Sequence, residues 1–482
     1  MKVLIANRGE IACRVASTLR KLKIPSVAIY SDVDAGAPHV SMCDQSVNIG
    51  EPKAYLDIDK VLAAARETSA TAIHPGYGFL AENAQFSKRC SEAGICFIGP
   101  SPEAIDAFGD KGAARKLAVE NTVPVIPGAE SCADADEAVS LAQEIGFPVL
   151  LKAAAGGGGK GMRQVSEVSE IAHAFDSASR EAKASFGRGD MLLEKYIYPA
   201  RHIEVQILGD GKDVAIVGDR ECSLQRRYQK VVEEAPAASI TDETREVIYS
   251  ASRRLLCAVG YCGAATVEFL VGPDGAAYFL EVNTRLQVEH PVTELVHGID
   301  LVAAQISLAH GGALPEIAPV RGHAIEVRLN AEDAYAGYLP QTGTLVGLSW
   351  PQLPNVRIDS GLLEGREISA NYDSMVAKVI VWGETREDAR LQLVHALEES
   401  VVLGVVTNQA FLLDILERPF FIDNDTFTTT LGEHEFSAPI LPEWLEEFAE
   451  KAAQGTRTIQ AASGQGDTYS PWERLGTFRM GT

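Results

Sequence analysis

Thr266-Val-Glu-Phe-Leu-Val271, Gly272-Pro-Asp-Gly275 and Tyr278-Phe-Leu-Glu-Val-Asn-Thr-Arg-Leu-Gln-Val-Glu-His290 set the reading of the fold. Two apolar-rich runs flank a Gly-Pro-Asp-Gly turn, the chemistry of a β-hairpin. With the turn centred on Asp274-Gly275, counting across the ribbon puts Glu268 opposite Glu281. Like charges so opposed are destabilising unless something positive lies between them. In an extended backbone alternate side chains share a face, so Glu281, Asn283, Arg285, Gln287 and Glu289 point one way, and Val282, Leu286 and Val288 the other. Glu268, Glu281 and Asn283 are hard oxygen ligands of the kind Mg²⁺ accepts beside nucleotide phosphates. Arg285 and Glu289 lie farther along, where a small anion could sit. Metal ligands followed by an Arg/Glu pair suggest nucleotide-driven activation of that anion. An exposed acidic hairpin without a ligand is the bland alternative.

Outward from this ribbon, the chain has 482 residues, 66 of them acidic and 43 basic. That length predicts two to four domains. The acidic balance argues against nucleic acid or an anionic membrane as main partner, and no apolar run is long enough to cross a bilayer. Any bound anion must therefore meet a locally basic pocket. The eight cysteines are scattered without Cys-x-x-Cys or zinc-type spacing, which predicts reduced packing residues and a cytoplasmic setting. No leader precedes Lys2-Val-Leu-Ile-Ala6, although removal of an organellar transit peptide is compatible with this.

The expected fold class is multidomain α/β and α+β. Over residues 1–99, runs such as Ser26-Val-Ala-Ile-Tyr30 and Ala70-Thr-Ala-Ile-His74 alternate with helix-length segments, the pattern of an open parallel sheet. Asn7-Arg-Gly-Glu10 lacks the spaced glycines of a dinucleotide fingerprint. His74-Pro-Gly-Tyr-Gly-Phe-Leu-Ala-Glu-Asn83 sits at a strand end where ligands of such sheets gather, or is simply a tight turn. Residues 100–123 read as a helical connector, 124–196 as a small α+β unit with a glycine-rich turn, 197–436 as a larger strand-rich unit, and 437–482 as tail and linker.

Phe147-Pro-Val-Leu-Leu-Lys-Ala153 feeds a glycine run that includes Gly157, Gly158 and Gly159. Glycines let backbone N–H groups approach phosphate oxygens and let a loop move, and with Met162-Arg-Gln-Val165 returning as a strand the segment reads as a mobile hairpin lid. Lys160 is followed by glycine, so this is no Walker A loop. Lys111 and Lys152 would flank the lid, and Glu194 and Lys195 could face an adenine edge. His202, Glu204 and Gln206 alternate onto one face as a pocket wall. Asp219 to Lys230 supplies a basic patch, read as a loop bending toward a site. Arg328 offers one more cation, or else a strand-edge ion pair.

The motifs from His74 to Asn83, the glycine loop, Gln225-Arg-Arg, Lys230-Val-Val-Glu-Glu-Ala-Pro236, Glu281 to Pro291 and Arg328-Leu-Asn-Ala-Glu-Asp333 closely resemble biotin carboxylase, the ATP-grasp component of biotin-dependent carboxylases, in order over about residues 1–436. The resemblance implies an ATP-grasp fold behind an N-terminal parallel sheet. It implies that ATP phosphorylates bicarbonate to carboxyphosphate, which delivers CO2 to biotin on a carrier. Lys111, Lys152, Glu194, Lys195, His202 and Gln225 would hold ATP. Glu268, Glu281 and Asn283 would hold Mg²⁺ or Mn²⁺. Lys230, Arg285, Gln287 and Val288 would position bicarbonate, with Glu289 as general base. Arg328 would stabilise the biotin enolate, and Tyr77 would lie beside biotin.

The implied partners are a biotin carboxyl carrier domain or protein and a carboxyltransferase, within a homodimer or larger complex. Tyr228 stands where the family usually has histidine; a phenol can donate a hydrogen bond but does not titrate near neutrality. The family's Ala-Met-Lys-Met biotinylation site is absent, so the carrier is expected elsewhere. Ser470-Pro-Trp-Glu-Arg-Leu-Gly476 resembles the opening of the region that follows biotin carboxylase in acyl-CoA carboxylase α subunits. Two other readings compete: an ATP-grasp ligase joining a carboxylate to an amine through an acyl phosphate, and a silent nucleotide-binding scaffold.

Overall fold

Short apolar runs separated by helices give the parallel sheet expected near the N-terminus. The computed structural model, which describes residues 1–154 and 162–440, has five parallel strands there in the order Gln45–Gly50, Ser26–Ser31, Val3–Ile5, Ala72–His74 and Cys96–Phe97. Parallel sheets are covered on both faces, and alternate residues divide accordingly. Leu4, Val27, Ile29 and Ile73 pack into one core with Tyr55 and Phe86. Val3, Ile5 and Ala72 pack into another with Leu208, Val217, Leu286 and Leu301 from the following unit. That second core fastens the parallel sheet to the elements that carry the predicted site.

The predicted hairpin is present, and its register is the one counted from the turn. Cys262–Val271 and Ala277–Asn283 run antiparallel with Glu268 opposite Glu281 and an irregularity directly after Glu268. Gly275 closes the turn by donating to the Gly272 carbonyl at 3.0 Å, with φ +79, a conformation glycine adopts without strain. The hairpin forms one edge of an eight-stranded antiparallel sheet that continues through Arg201–Asp210, Val214–Arg226, Gln229–Ala235, His323–Asn330, Met375–Gly383 and Val356–Ser360.

Two expectations need correction. The ribbon is not extended to Glu289: the strand stops at Asn283, residues 284–289 pair with no strand, and a helix begins at His290 with Pro291 in its first turn. Proline suits that position because the first helical N–H groups have no partner anyway. The segment from Asp219 to Lys230 is not a loop either. It is strand, a tight turn at Arg227 and Tyr228, and strand again. Both turn residues have positive φ, +51 and +64, as a two-residue hairpin turn matched to sheet twist requires.

A smaller four-stranded sheet has the order Gly128–Cys132, Met191–Lys195, Val149–Ala153, Arg163–Val165. Helices Ala135–Ile145 and Ile171–Phe186 cover it, contributing Ala138, Ala142 and Ala178 to its core. Val149–Ala153 and Arg163–Val165 are antiparallel neighbours, as the lid reading requires of its flanks. Gly157, Gly158 and Gly159, and the tail and linker beyond residue 440 with the motif at 470–476, lie outside the described residues. Between the two larger units run helices Pro102–Gly109 and Lys111–Glu120. All eight cysteines are free thiols, and among the described residues no single helix is long and apolar enough to cross a membrane.

Candidate active site

Glu268 and Glu281 stand opposed on the hairpin, and cations answer them. Lys111 is the first residue of its helix, whose N-terminus is capped by Asp110 accepting from Ala113 N–H at 3.0 Å. A lysine there opposes the helix dipole, but its ammonium donates to Glu281 at 2.6 Å. Lys230, on Gln229–Ala235, reaches across the face of the sheet to donate to Glu204 at 2.5 Å, Glu268 at 3.0 Å and Glu289 at 2.5 Å. Burial alone would raise the Glu268 carboxyl, yet Lys230 and His202 overcome it and hold the group well below the ordinary carboxylate range. Burial opposes charge on Lys230, and Glu204, Glu268 and Glu289 together hold that ammonium firmly protonated.

These groups line a cleft of about 880 Å³ between the small sheet and the large one. Lys111, Lys152, Lys195, His202, Gln225 and Tyr228 are on its wall, as are Lys230, Glu268, Glu281, Asn283, Arg285, Gln287, Val288, Glu289 and Arg328. Although the chain leaves the sheet after Asn283, Arg285, Gln287 and Glu289 still converge on one space. Arg285 donates to Gln287 Oε1 at 2.8 Å and to Asn283 Oδ1 at 3.1 Å, while Gln287 and Asn283 donate to Glu268 at 3.0 and 2.8 Å. Glu289 is fully buried and accepts from Arg328 at 3.1 Å as well as from Lys230. Burial would lift its carboxyl, but Lys230, Arg328 and Arg220 hold it far below the usual range.

Two predicted residues stand apart from the cleft wall. The Glu194 carboxylate is directed at Lys152, at 2.5 Å, and Arg115, at 3.2 Å. It therefore orients the lysine that lines the cleft, with both of its carboxylate oxygens engaged by these two cations. Tyr77 is half-buried in the parallel-sheet unit, and its phenol donates to Glu10. Lys195 reaches the Gly146 and Phe147 carbonyls at 3.1 and 2.7 Å.

Sequence reading missed several supports. Arg220 is completely buried, donating to Glu204, to Gln206 and Thr293 at 2.8 Å, and to Thr266 at 3.1 Å. It belongs to the apparent basic patch but never reaches solvent. Glu82, in the His74 to Asn83 motif, pairs with Arg285 at 2.9 Å and accepts from the Thr284 N–H at 3.1 Å. The strand-end motif thus contributes to the site. Glu233 receives Arg328 at 2.6 Å; burial lifts its carboxyl, and that rise, to about 7, is reinforced by Glu289 and only partly opposed by Arg328. Its signal was the paired acid in Glu233-Glu234, buried on adjacent strand positions.

The donor sets discriminate between two candidate metal positions. Glu268 and Glu281, with the Asn283 amide oxygen, are all-oxygen ligands suited to a hard divalent cation. His202, Glu204 and Glu268 also lie close enough to share an ion. Glu204 there is already taken by Arg220, a completely buried guanidinium held by four partners, whose fixed charge repels a divalent ion. The hairpin pair fits better, because the ammonium groups at Glu281 and Glu268, those of Lys111 and Lys230, end flexible stems that can turn toward phosphate.

Three family models match the chain in succession. Residues 1–105 match the family model "Biotin carboxylase, N-terminal domain", residues 110–317 "Carbamoyl-phosphate synthase L chain, ATP binding domain", and residues 326–433 "Biotin carboxylase C-terminal domain". A biotin carboxylase of Nostoc sp. is 44% identical over 440 residues, 90% of this chain and 98% of that protein. The biotin-dependent acyl-coenzyme A carboxylase alpha3 subunit of Mycobacterium leprae is 47% identical over 92% of this chain and 75% of its own length. The chain spans between 58% and 75% of the acyl-CoA carboxylase α subunits it matches. Among solved structures, the biotin carboxylase domain dimer of Hydrogenobacter thermophilus 2-oxoglutarate carboxylase, in complex with MgADP, ADP and bicarbonate, superposes with a TM-score of 0.87 at 42% identity, covering 91% of this chain and 99% of that one.

Proposed function

Because this chain belongs to the biotin carboxylase family, we propose a division of labour among its cleft residues for the family's reaction, the ATP- and bicarbonate-dependent carboxylation of biotin. The chain is an ATP-dependent ligase of that type. Lys111, Lys152, Lys195, His202 and Gln225 receive the nucleotide, with Glu194 holding Lys152 in place. Glu268, Glu281 and Asn283 would hold Mg²⁺ or Mn²⁺, which when bound would neutralise charge developing on the phosphate. Gly157, Gly158 and Gly159 belong to the glycine run assigned to the lid.

Lys230, Arg285, Gln287 and Val288 hold bicarbonate beside the terminal phosphate. Positioning and charge neutralisation supply most of the catalysis in phosphoryl transfer. A bicarbonate oxygen attacks the γ-phosphorus, the bond to ADP breaks, and Glu289 takes the bicarbonate proton. The ion pairs with Lys230 and Arg328 keep Glu289 a poor base. Lys230 must exchange Glu289 for a bicarbonate oxygen, and losing that contact restores basicity to the carboxylate when the substrate is seated. Carboxyphosphate then splits into CO2 and phosphate, the phosphate takes the proton from biotin N1′, and that nitrogen bonds the carbon of CO2, while Arg328 steadies the negative oxygen of deprotonated biotin, with Tyr77 on the biotin side.

The arrangement that carries this reading is Glu268 opposite Glu281, answered by Lys111 and Lys230, with the Arg285 to Glu289 segment entering the same cleft. Tyr228, at the exposed hairpin tip, meets the nucleotide through its phenol. Biotin is presented by a carrier domain or protein, and the carboxyl group passes to a carboxyltransferase whose acyl-CoA substrate is set elsewhere. A homodimer is proposed on the strength of the dimeric Hydrogenobacter relative, and a cytoplasmic setting on the free thiols. The direct test measures ADP release with bicarbonate and free biotin varied independently. Release that requires bicarbonate and rises with biotin is expected; release indifferent to bicarbonate would overturn the reading.

A further inference from the structure

Lys378 is a fully buried ammonium that none of these roles uses. It lies in Met375–Gly383 directly opposite Arg328 on His323–Asn330, with its side chain 0% exposed. A buried charge of this kind costs several kcal/mol unless neighbouring groups take it up. Its nitrogen donates to the Val288 carbonyl at 2.8 Å and lies 3.3 Å from Glu10 and 3.7 Å from Asp359. Asp359 is already held by two nitrogens of Arg357, at 2.9 and 2.6 Å. Glu10 is therefore the closer counter-ion, and the main-chain carbonyl of Val288 takes the hydrogen bond.

That carbonyl belongs to a segment whose side chains are well held but whose main chain has no strand partner. Residues 284–289 pair with no strand, yet Val288 and Glu289 both face the cleft. His290 fixes the peptide before Val288: its ring Nδ1 lies 2.7 Å from the Gln287 carbonyl. Burial, reinforced by Lys378, Arg14 and Arg357, holds His290 neutral, so the nitrogen facing that carbonyl carries the proton. Lys378 fixes the next peptide. Since a peptide unit is planar, holding the Val288 carbonyl also sets the direction of the Glu289 N–H and the position of the Glu289 Cα. Through Glu10, which the Tyr77 phenol also contacts, the same lysine connects this peptide to the parallel-sheet unit.

We propose that Lys378 is a positioning residue for the bicarbonate step, pinning the Val288–Glu289 peptide from behind and tying it through Glu10 to Tyr77. This rests on the assignment of Val288 and Glu289 to bicarbonate. In the whole chain, Lys378→Met is expected to raise the KM for bicarbonate by about 10- to 100-fold, the scale of a displacement near 1 Å at a reacting group. The KM for ATP, whose contacts lie on other strands, should stay within about twofold. Lys378→Met combined with Glu10→Gln removes the acid left unpaired and should show the same split in a more stable protein. Both constants rising together, neither moving, or neither variant folding would overturn the role given to Lys378. A parent chain whose ATP cleavage ignores bicarbonate would instead overturn the reading on which it rests.

Discussion

Glu281→Lys is expected to lower bicarbonate-dependent ATP cleavage by at least about 10³-fold, while the protein stays folded. Removing one group that stabilises transition-state charge costs about 10²- to 10³-fold, and here a proposed metal ligand is not merely lost but reversed in sign. The new ammonium would face Lys111, which now donates to Glu281 at 2.6 Å, and would oppose any divalent ion drawn to Glu268. Its side chain is 34% exposed, so the substitution buries no unpaired charge, and the thermal midpoint should move by only a few degrees. Purified protein that unfolds like the parent but no longer cleaves ATP is the expected result. Normal turnover in a folded variant would remove the metal from the hairpin.

Arg328→Ala should separate the two halves of the chemistry. The guanidinium touches Glu233 and Glu289, and its proposed partner is charge that appears only as biotin is deprotonated. A group used only in the transition state lowers kcat and leaves ground-state binding alone. Carboxylation of free biotin is therefore expected to fall by about 10²- to 10³-fold, with the KM for ATP within about twofold of the parent. The truncation leaves the buried Glu233 carboxylate without its cation, while Glu289 keeps Lys230, a destabilisation of about 3–5 kcal/mol, so the assay belongs well below the variant's unfolding temperature. Equal losses in ATP use and in biotin carboxylation would contradict a role directed at biotin.

How far the sequence reached depended on whether the controlling interactions were local. The Glu268 to Glu281 register was legible because a Gly-Pro-Asp-Gly turn fixes the offset of the strands beside it. The parallel sheet was legible from alternating apolar runs and helices. The continuation past Asn283 was misjudged because strict alternation from Glu281 to Glu289 looks like a strand even where nothing pairs with it. Only the Glu289-His290-Pro291 junction, a helix start, signals otherwise. The convergence of those side chains survived, since the packing of Leu286 into the shared core turns the segment back toward the cleft.

The supporting shell was hidden for a different reason. Arg220 and Lys378 are cations in strands, a pattern that reads as a solvated face, and both are completely buried. Their partners make them intelligible: Glu204 lies on the neighbouring strand for Arg220, and Glu10 comes from the opposite end of the chain for Lys378. No window of sequence contains both members of the second pair. Glu194 shows the same limit on a smaller scale. Its place at a strand end pointed to an adenine edge, but only the fold reveals that Lys152 and Arg115 claim its carboxylate.

A crystal structure with magnesium, a non-hydrolysable ATP analogue and bicarbonate bound together would test most directly whether nucleotide and carbon source meet at the hairpin and the segment that leaves it. The expected density places the metal between Glu268 and Glu281 and bicarbonate against Arg285 and Lys230. Either ligand bound away from those residues would contradict the assignment.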